Sequence, residues 1–175
     1  MVLKPDDYDF GDASNYSFAN DITCRNDETR KMYILAHGHM LNYNHEEAIA
    51  CFQKCTELDP DCAMAWWGIA YCLSSNYNWS PGLGSGHDPI QQAMSLRDKC
   101  TELEQDLINA LAERHSEEAR DAADPSVLNM GNSPELNIAF ADAMAPLYEK
   151  YKGNLDVTAI YVEASDEFKS MATLG

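Results

Sequence analysis

MYILAHGH at residues 32–39 is followed 34 residues later by WWGIAYCL at residues 66–73. In both stretches the first, fourth, fifth and eighth residues share the spacing of one face of an α-helix. A pattern that returns at a fixed interval indicates a repeated structural unit, so the chain is predicted to contain repeated helical units. The matched pairs are Met32 and Trp66, Leu35 and Ile69, Ala36 and Ala70, and His39 and Leu73.

A second helix is predicted between these two stretches. Asn44 followed by Glu47 favours an N-cap with a capping box, in which two otherwise unbonded amides gain partners. Pro60 ends this helix, because proline disfavours helical geometry in the residue before it. Its apolar face comprises Ala48, Cys51, Phe52 and Cys55.

Similar start signals recur later in the chain. Asp88-Pro89 and Ser133-Pro134 each place a capping residue before a first-turn proline, and Thr101 with Glu104 forms another capping box. No segment has a convincing strand pattern. The fold is therefore predicted to be all-α, with about seven helices in antiparallel hairpins. The last helix carries an apolar stripe of Val157, Ile160, Tyr161, Ala164, Phe168 and Met171.

The composition along the chain predicts an arm followed by one helical domain. Residues 1–25 are rich in aspartate without a helical period, which is typical of an acidic, partly ordered arm. Residues 26–175 form the predicted domain. Residues 75–88 contain several glycines and a proline, so they are expected to form a long loop. A second loop is expected at 121–133.

The charge balance limits the class of partner. The chain has 175 residues, with 12 Lys and Arg against 29 Asp and Glu, and a formal net charge of −17. A field of this sign repels phosphate backbones and anionic lipid surfaces. Nucleic acids and membranes are therefore not expected as partners.

The compartment is inferred from cysteine usage and from the amino terminus. The six cysteines form no Cys-x-x-Cys pair, and a chain of this length does not need a disulfide framework. Residues 1–7 contain no apolar segment of a secretory signal, and no run of 18 apolar residues occurs. The chain is therefore expected to be cytoplasmic, with reduced thiols.

The repeat resembles the tetratricopeptide repeat, a helix-turn-helix unit of 34 residues. The second stretch matches its W-x2-L-G-x2-Y motif in shape, Ala48 with Phe52 matches A-x3-F, and Pro60 matches the closing proline. The resemblance is strong over 27–75 and decays afterwards. It implies a short right-handed array of stacked hairpins. Residues 44–48, 59–70 and 76–78 also resemble a divergent subfamily of uncharacterised microbial proteins with such repeats, which implies no activity.

The resemblance further implies a concave groove that binds a protein or peptide. Chaperone-tail binders of the family place lysines and asparagines in this groove, whereas here only Arg30 is basic. An apolar or aromatic anchor on the partner is therefore expected. The alternative is that these side chains pack against the arm or a neighbouring helix. By position the groove residues are Arg30, Tyr33, His37, Met40, Met64, Trp67, Tyr71 and Ser74.

A second class of function stays open at this point. His37, His45 and His87 are candidate metal ligands, although their spacing matches no established metal motif. An enzyme or small-molecule binder would have its site between the groove and the 75–88 loop. No catalytic residue is assigned, because no nucleophile motif or phosphate-binding loop occurs. A short array also leaves apolar end faces, through which the chain could form a homo-oligomer.

Overall fold

The computed structural model describes residues 21–74, 86–115 and 134–172, without the side chains of 134, 135 and 166–172. These ranges contain seven α-helices and no strand, so the all-α prediction is confirmed. The helices are α1 (Asp27–Leu41), α2 (His45–Leu58), α3 (Ala63–Cys72), α4 (His87–Leu96), α5 (Glu102–Arg114), α6 (Pro134–Lys150) and α7 (Leu155–Ala172). A 3-10 turn over Arg97–Lys99 continues α4.

The helices form an array in which each one packs on the next in sequence. In addition, α1 packs on α3 and α3 packs on α5, so the first helices of successive hairpins lie side by side. Repeat-equivalent side chains have the same burial on this side of the array. Tyr33 on α1 and Trp67 on α3 are both fully buried, as are Ala36 and Ala70.

A glycine sets the approach of α2 and α3. A Cβ atom added to Gly68 on α3 would lie 2.4 Å from the ring of Phe52 on α2. The ring therefore occupies the space that any larger residue would need. Phe52 is fully buried and also packs on Tyr33, with 5.4 Å between the ring centroids. This contact joins α1, α2 and α3 into one core.

Of the two predicted capping boxes, the one at the start of α5 is present and the one at the start of α2 is absent. The capping box of α5 is confirmed, because the Thr101 hydroxyl accepts from the Glu104 amide and the Glu104 carboxylate accepts from the Thr101 amide. The capping box of α2 is wrong, since Asn44 is the N-cap but makes no side-chain capping bond. The turn before α2 depends instead on Tyr43, which has a left-handed φ of 60°.

Residues 21–25, the last part of the predicted arm, pack against the helices. Ile22 is buried, and the Thr23 amide and hydroxyl donate to the Glu104 carboxylate at 2.7 Å each. The Arg25 amide donates to Asp59 at 2.7 Å. These bonds attach the segment to α5 and to the α2–α3 turn. Residues 1–20 of the predicted arm lie outside the described ranges.

The start of α4 also differs slightly from the prediction. The helix begins at His87 with Gly86 as its N-cap, whereas Asp88 was predicted as the cap. Most of the predicted 75–88 loop and all of the loop at 121–133 lie outside the described ranges. None of the helices described is long and apolar enough to cross a membrane.

Candidate functional site

The predicted groove residues lie together on α1 and α3, but they do not form an open surface. Arg30 is half-buried, and the other seven are buried. These side chains are packed inside the molecule, as in the alternative in which they contact a neighbouring helix. We call these seven residues the inner surface: Tyr33, His37, Met40, Met64, Trp67, Tyr71 and Ser74.

Aromatic side chains form the centre of the inner surface. Trp67 donates from its indole nitrogen to the carbonyl of Leu107 on α5 at 3.0 Å, so its only polar group is satisfied in the interior. It stacks on Tyr71, with 5.2 Å between the centroids. Phe140 on α6 meets Tyr71 edge-on at 6.2 Å. The inner surface is therefore covered by α5 and α6 at this point.

The last helix contacts the inner surface through two carboxylates. The Tyr71 hydroxyl donates to Glu163 Oε2 at 2.5 Å, and His37 Nε2 lies 3.6 Å from Asp156 Oδ1. His37 and Tyr71 are equivalent positions of the 34-residue repeat. Two equivalent residues on adjacent helices therefore each meet an acid of α7.

The apolar side chains of α7 face the same interior. Val157, Ile160 and Ala164 are buried and belong to the same core cluster as the inner surface. Leu155 and Val162 are exposed on the opposite side, at 70% and 50%. The helix is thus amphipathic, with its apolar side and two acids directed towards the array and another part of its surface in solvent.

The interior strongly disfavours a charged tyrosine. Complete burial raises the pKa of Tyr33 well above its usual value, and the nearby Glu104 and Asp156 carboxylates add to this effect. Tyr33 therefore stays a neutral hydroxyl. Its ring stacks on His37, with 5.9 Å between the centroids. The tyrosine thus supports the imidazole that meets α7.

A polar cluster lies where α3 and α5 end. The Ser74 hydroxyl is 3.0 Å from His115 Nε2 and donates to the Ala70 carbonyl at 2.9 Å. Burial lowers the pKa of His115 to about 3, with further contributions from Arg114 and His87. An imidazole that resists protonation is a poor general base for a serine nucleophile. The geometry therefore favours a structural role for this hydrogen bond.

Arg114 connects this cluster to α6. It is buried, donates to Asn137 Oδ1 at 2.6 Å and lies 5.5 Å from the ring centroid of Phe140. Its cation is thus held against both an amide oxygen and an aromatic face. Sequence reasoning missed Arg114, His115 and Asn137, since none of them belongs to the repeated stretch.

The three histidines proposed as metal ligands have separate environments, which corrects that alternative. His37 faces Asp156, the Nδ1 atom of His45 lies 3.2 Å from the Cys72 carbonyl oxygen, and His87 lies 3.3 Å from Asp88. Within the described ranges, no group of three or more His, Cys, Asp or Glu side chains is arranged to hold a metal ion. His37 is also the fully buried histidine of α1, whereas His39 on the apolar stripe is only half-buried.

The cysteines lack the features of a reactive thiol. All six are free, and Cys55, Cys62 and Cys72 are buried. Burial raises the pKa of the Cys62 thiol to about 12 and raises the pKa of Cys55 and of Cys72 still further. These thiols therefore remain protonated at neutral pH and behave as small apolar side chains.

Sequence reasoning missed the two acids that touch the inner surface. The stripe predicted on the last helix includes Val157, Ile160 and Ala164, which are buried, but Asp156 and Glu163 carried no motif. Their only signal was an acid at each end of an apolar helix segment. Comparison with protein-family models, curated proteins and solved structures found no match to this chain.

Proposed function

We propose that the chain is a protein- or peptide-binding helical-repeat scaffold of the tetratricopeptide type, in which helix α7 covers the part of the inner surface around His37 and Tyr71. A partner segment would bind by replacing α7. The observation that carries this proposal is the matched pair of contacts between His37 and Asp156 and between Tyr71 and Glu163. Two residues one repeat interval apart therefore each face an acid of α7, Tyr71 through a hydrogen bond at 2.5 Å and His37 at 3.6 Å.

The distance between the two acids of α7 supports this interpretation, because it is close to the distance between packed helices. Asp156 and Glu163 are seven residues apart, which is about 10 Å along an α-helix. The axes of packed helices lie about 8–10 Å apart. The two acids are therefore separated by about the distance between two packed helices, which lets one acid reach His37 on α1 and the other reach Tyr71 on α3. A receptor surface with this periodicity suits a helical ligand better than a small molecule.

The partner is expected to present apolar or aromatic side chains. Tyr71, whose hydroxyl meets α7, would be the aromatic contact for the partner, whereas Trp67 is already covered by α5 through its bond to Leu107. Because the net charge is −17, nucleic acids and anionic lipids are not proposed as partners. The free thiols fit a reducing compartment, and we place the protein in the cytoplasm on this basis.

A selection experiment tests the proposal. The full chain carrying Glu163→Lys and a matched control carrying Glu113→Lys are each used to select from a phage-displayed library of helical peptides. Glu113 is an exposed acid on α5, so both variants change the net charge equally. Circular dichroism establishes that both variants keep their helix content before selection begins.

We expect peptides to be enriched on the Glu163→Lys variant and not on the control. Bound peptide should slow amide hydrogen exchange in α1 and α3. The proposal is wrong if no peptide is enriched on either variant. It is equally wrong if the protected amides lie only outside α1, α3 and α5.

A further inference from the structure

The inference concerns the chemistry of the partner, and it rests on the proposed function. We infer that the segment bound by the inner surface is an amphipathic α-helix that carries two carboxylates seven residues apart with an apolar residue between them. In α7 these positions are Asp156, Ile160 and Glu163. The partner would therefore compete with α7 by the same contacts.

The polar part of this pattern comes from two groups of the inner surface. The hydroxyl of Tyr71 donates to Glu163, and the ring nitrogen of His37 faces Asp156. Both side chains are buried, at 5% and 0% exposure. A hydrogen bond from a buried donor to a charged acceptor is stronger than one to a neutral acceptor. A helix with a neutral residue in place of Glu163 should therefore bind less tightly, and the 3.6 Å contact of His37 with Asp156 adds a weaker preference for a second acid.

The apolar part lies between the two acids. Ile160 is fully buried, four residues after Asp156 and three residues before Glu163. Val157 and Ala164 continue the same side of the helix and are also buried. Side chains three and four residues apart share one face of a helix. The acids and the apolar residue are thus presented together only by a helical ligand.

The overall negative charge of the chain repels an acidic ligand. The dependence of the association rate on salt is therefore a second measurement of the ligand's charge. The net charge of −17 slows the approach of another acidic helix, but this long-range repulsion is screened beyond about 8 Å at physiological salt. The contact at Tyr71 is short, and Tyr71 and His37 are both buried, so added salt weakens these contacts much less. Association of the acidic helix should therefore become faster as salt rises, and a basic ligand would show the opposite.

The test uses a fluorescent peptide of residues 154–172 and the full chain carrying Glu163→Lys. A second peptide carries Asp156→Asn with Glu163→Gln. A control peptide carries Leu155→Gln with Val162→Gln, which changes only the exposed side of the helix. We expect the unchanged and control peptides to bind at least about tenfold more tightly than the second peptide, which corresponds to about 1.4 kcal/mol.

A double-mutant cycle assigns the effect to one contact. Adding Tyr71→Phe to the receptor removes the hydroxyl while keeping the ring. The ratio of Kd values between the unchanged peptide and a peptide carrying only Glu163→Gln should then shrink by at least about threefold. The inference is overturned if the cycle shows no coupling, or if the unchanged peptide binds no more tightly than the peptide with both acids replaced.

The two proposals fail differently. The library could yield peptides that protect α1 and α3, lack paired acids and are not displaced by the 154–172 peptide. The inner surface would then bind partners of another chemistry, and only this inference would be wrong. If no peptide binds the inner surface at all, both proposals are wrong.

Discussion

The hydroxyl of Tyr71 on α3 and the carboxylate of Glu163 on α7 are 2.5 Å apart, although 92 residues separate them in sequence. This hydrogen bond joins the repeat-bearing part of the chain to its last helix. A charged acceptor makes it stronger than an ordinary hydroxyl bond. Together with the contact of His37 and Asp156, it positions α7 against the inner surface.

Reversing the charge of Glu163 should loosen α7 without unfolding the array. In Glu163→Lys the Tyr71 hydroxyl loses its acceptor, which costs about 1–3 kcal/mol when the group is buried. We expect faster amide hydrogen exchange in residues 155–165, with little change in α1, α2 and α3. Mass spectrometry of exchanged peptides measures both. The Glu113→Lys control should leave α7 unchanged, and equal acceleration in the two variants would contradict the assigned contact.

Truncating Trp67 should destabilise the protein rather than abolish binding selectively. Its side chain is fully buried, so Trp67→Ala removes about 3–5 kcal/mol of folding free energy. Denaturant unfolding measures this loss. Trp66→Ala is the control, because Trp66 is only half-buried and should lose much less. Similar losses in both variants would contradict the burial of Trp67.

Two glycines should respond to alanine with opposite signs. Gly68→Ala forces the Phe52 ring to move, so a loss of about 1–3 kcal/mol is expected. A Cβ atom at Gly38, in the last turn of α1, meets nothing within 4 Å, so Gly38→Ala should stabilise the helix by up to about 0.5–1 kcal/mol. Thermal unfolding at one pH compares the two.

A rescue experiment identifies the clash at Gly68. Combining Gly68→Ala with Phe52→Leu should cost less than the sum of the two single changes, because the smaller side chain makes room for the added methyl group. Simple additivity would show that Phe52 is not what limits the space at Gly68.

The half-buried imidazole of His115 should make the protein less stable as pH falls. Its folded pKa is lowered to about 3, whereas an unfolded histidine has a pKa near about 6.5. Between these values the unfolded chain binds more protons, so this contribution is present above about pH 6.5 and is lost as pH falls towards 3. The contribution of His115 to the unfolding free energy changes by at most about 1.4 kcal/mol for each pH unit.

The variant His115→Gln isolates this contribution. Glutamine keeps a polar group near Ser74 but does not titrate. The difference in unfolding free energy between the native chain and the variant is measured first at high pH. This difference should shift against the native chain as pH falls below about 6.5. Parallel curves would show that His115 is not the group responsible.

The helices and several of their ends were predictable because their causes are local. Thr101 and Glu104 are three residues apart, so the sequence alone contains both halves of that capping box. The same reasoning was wrong at Asn44 and Glu47, since a cap also needs a side-chain conformation that composition does not decide. Tyr33 and Trp67, which are one repeat interval apart, are both fully buried, whereas Met32 is buried and its repeat counterpart Trp66 is half-buried.

The amino-acid sequence by itself determined an acidic all-α array and the residues that share the inner side of α1 and α3. Only the tertiary structure decided that these residues are buried and that α7 meets them through Asp156 and Glu163. The physical reason is that helical periodicity fixes which side of a helix is apolar but not which other helix covers it. Apolar surfaces are non-directional in their attraction, so the choice among them depends on shape and on the few polar contacts between distant residues.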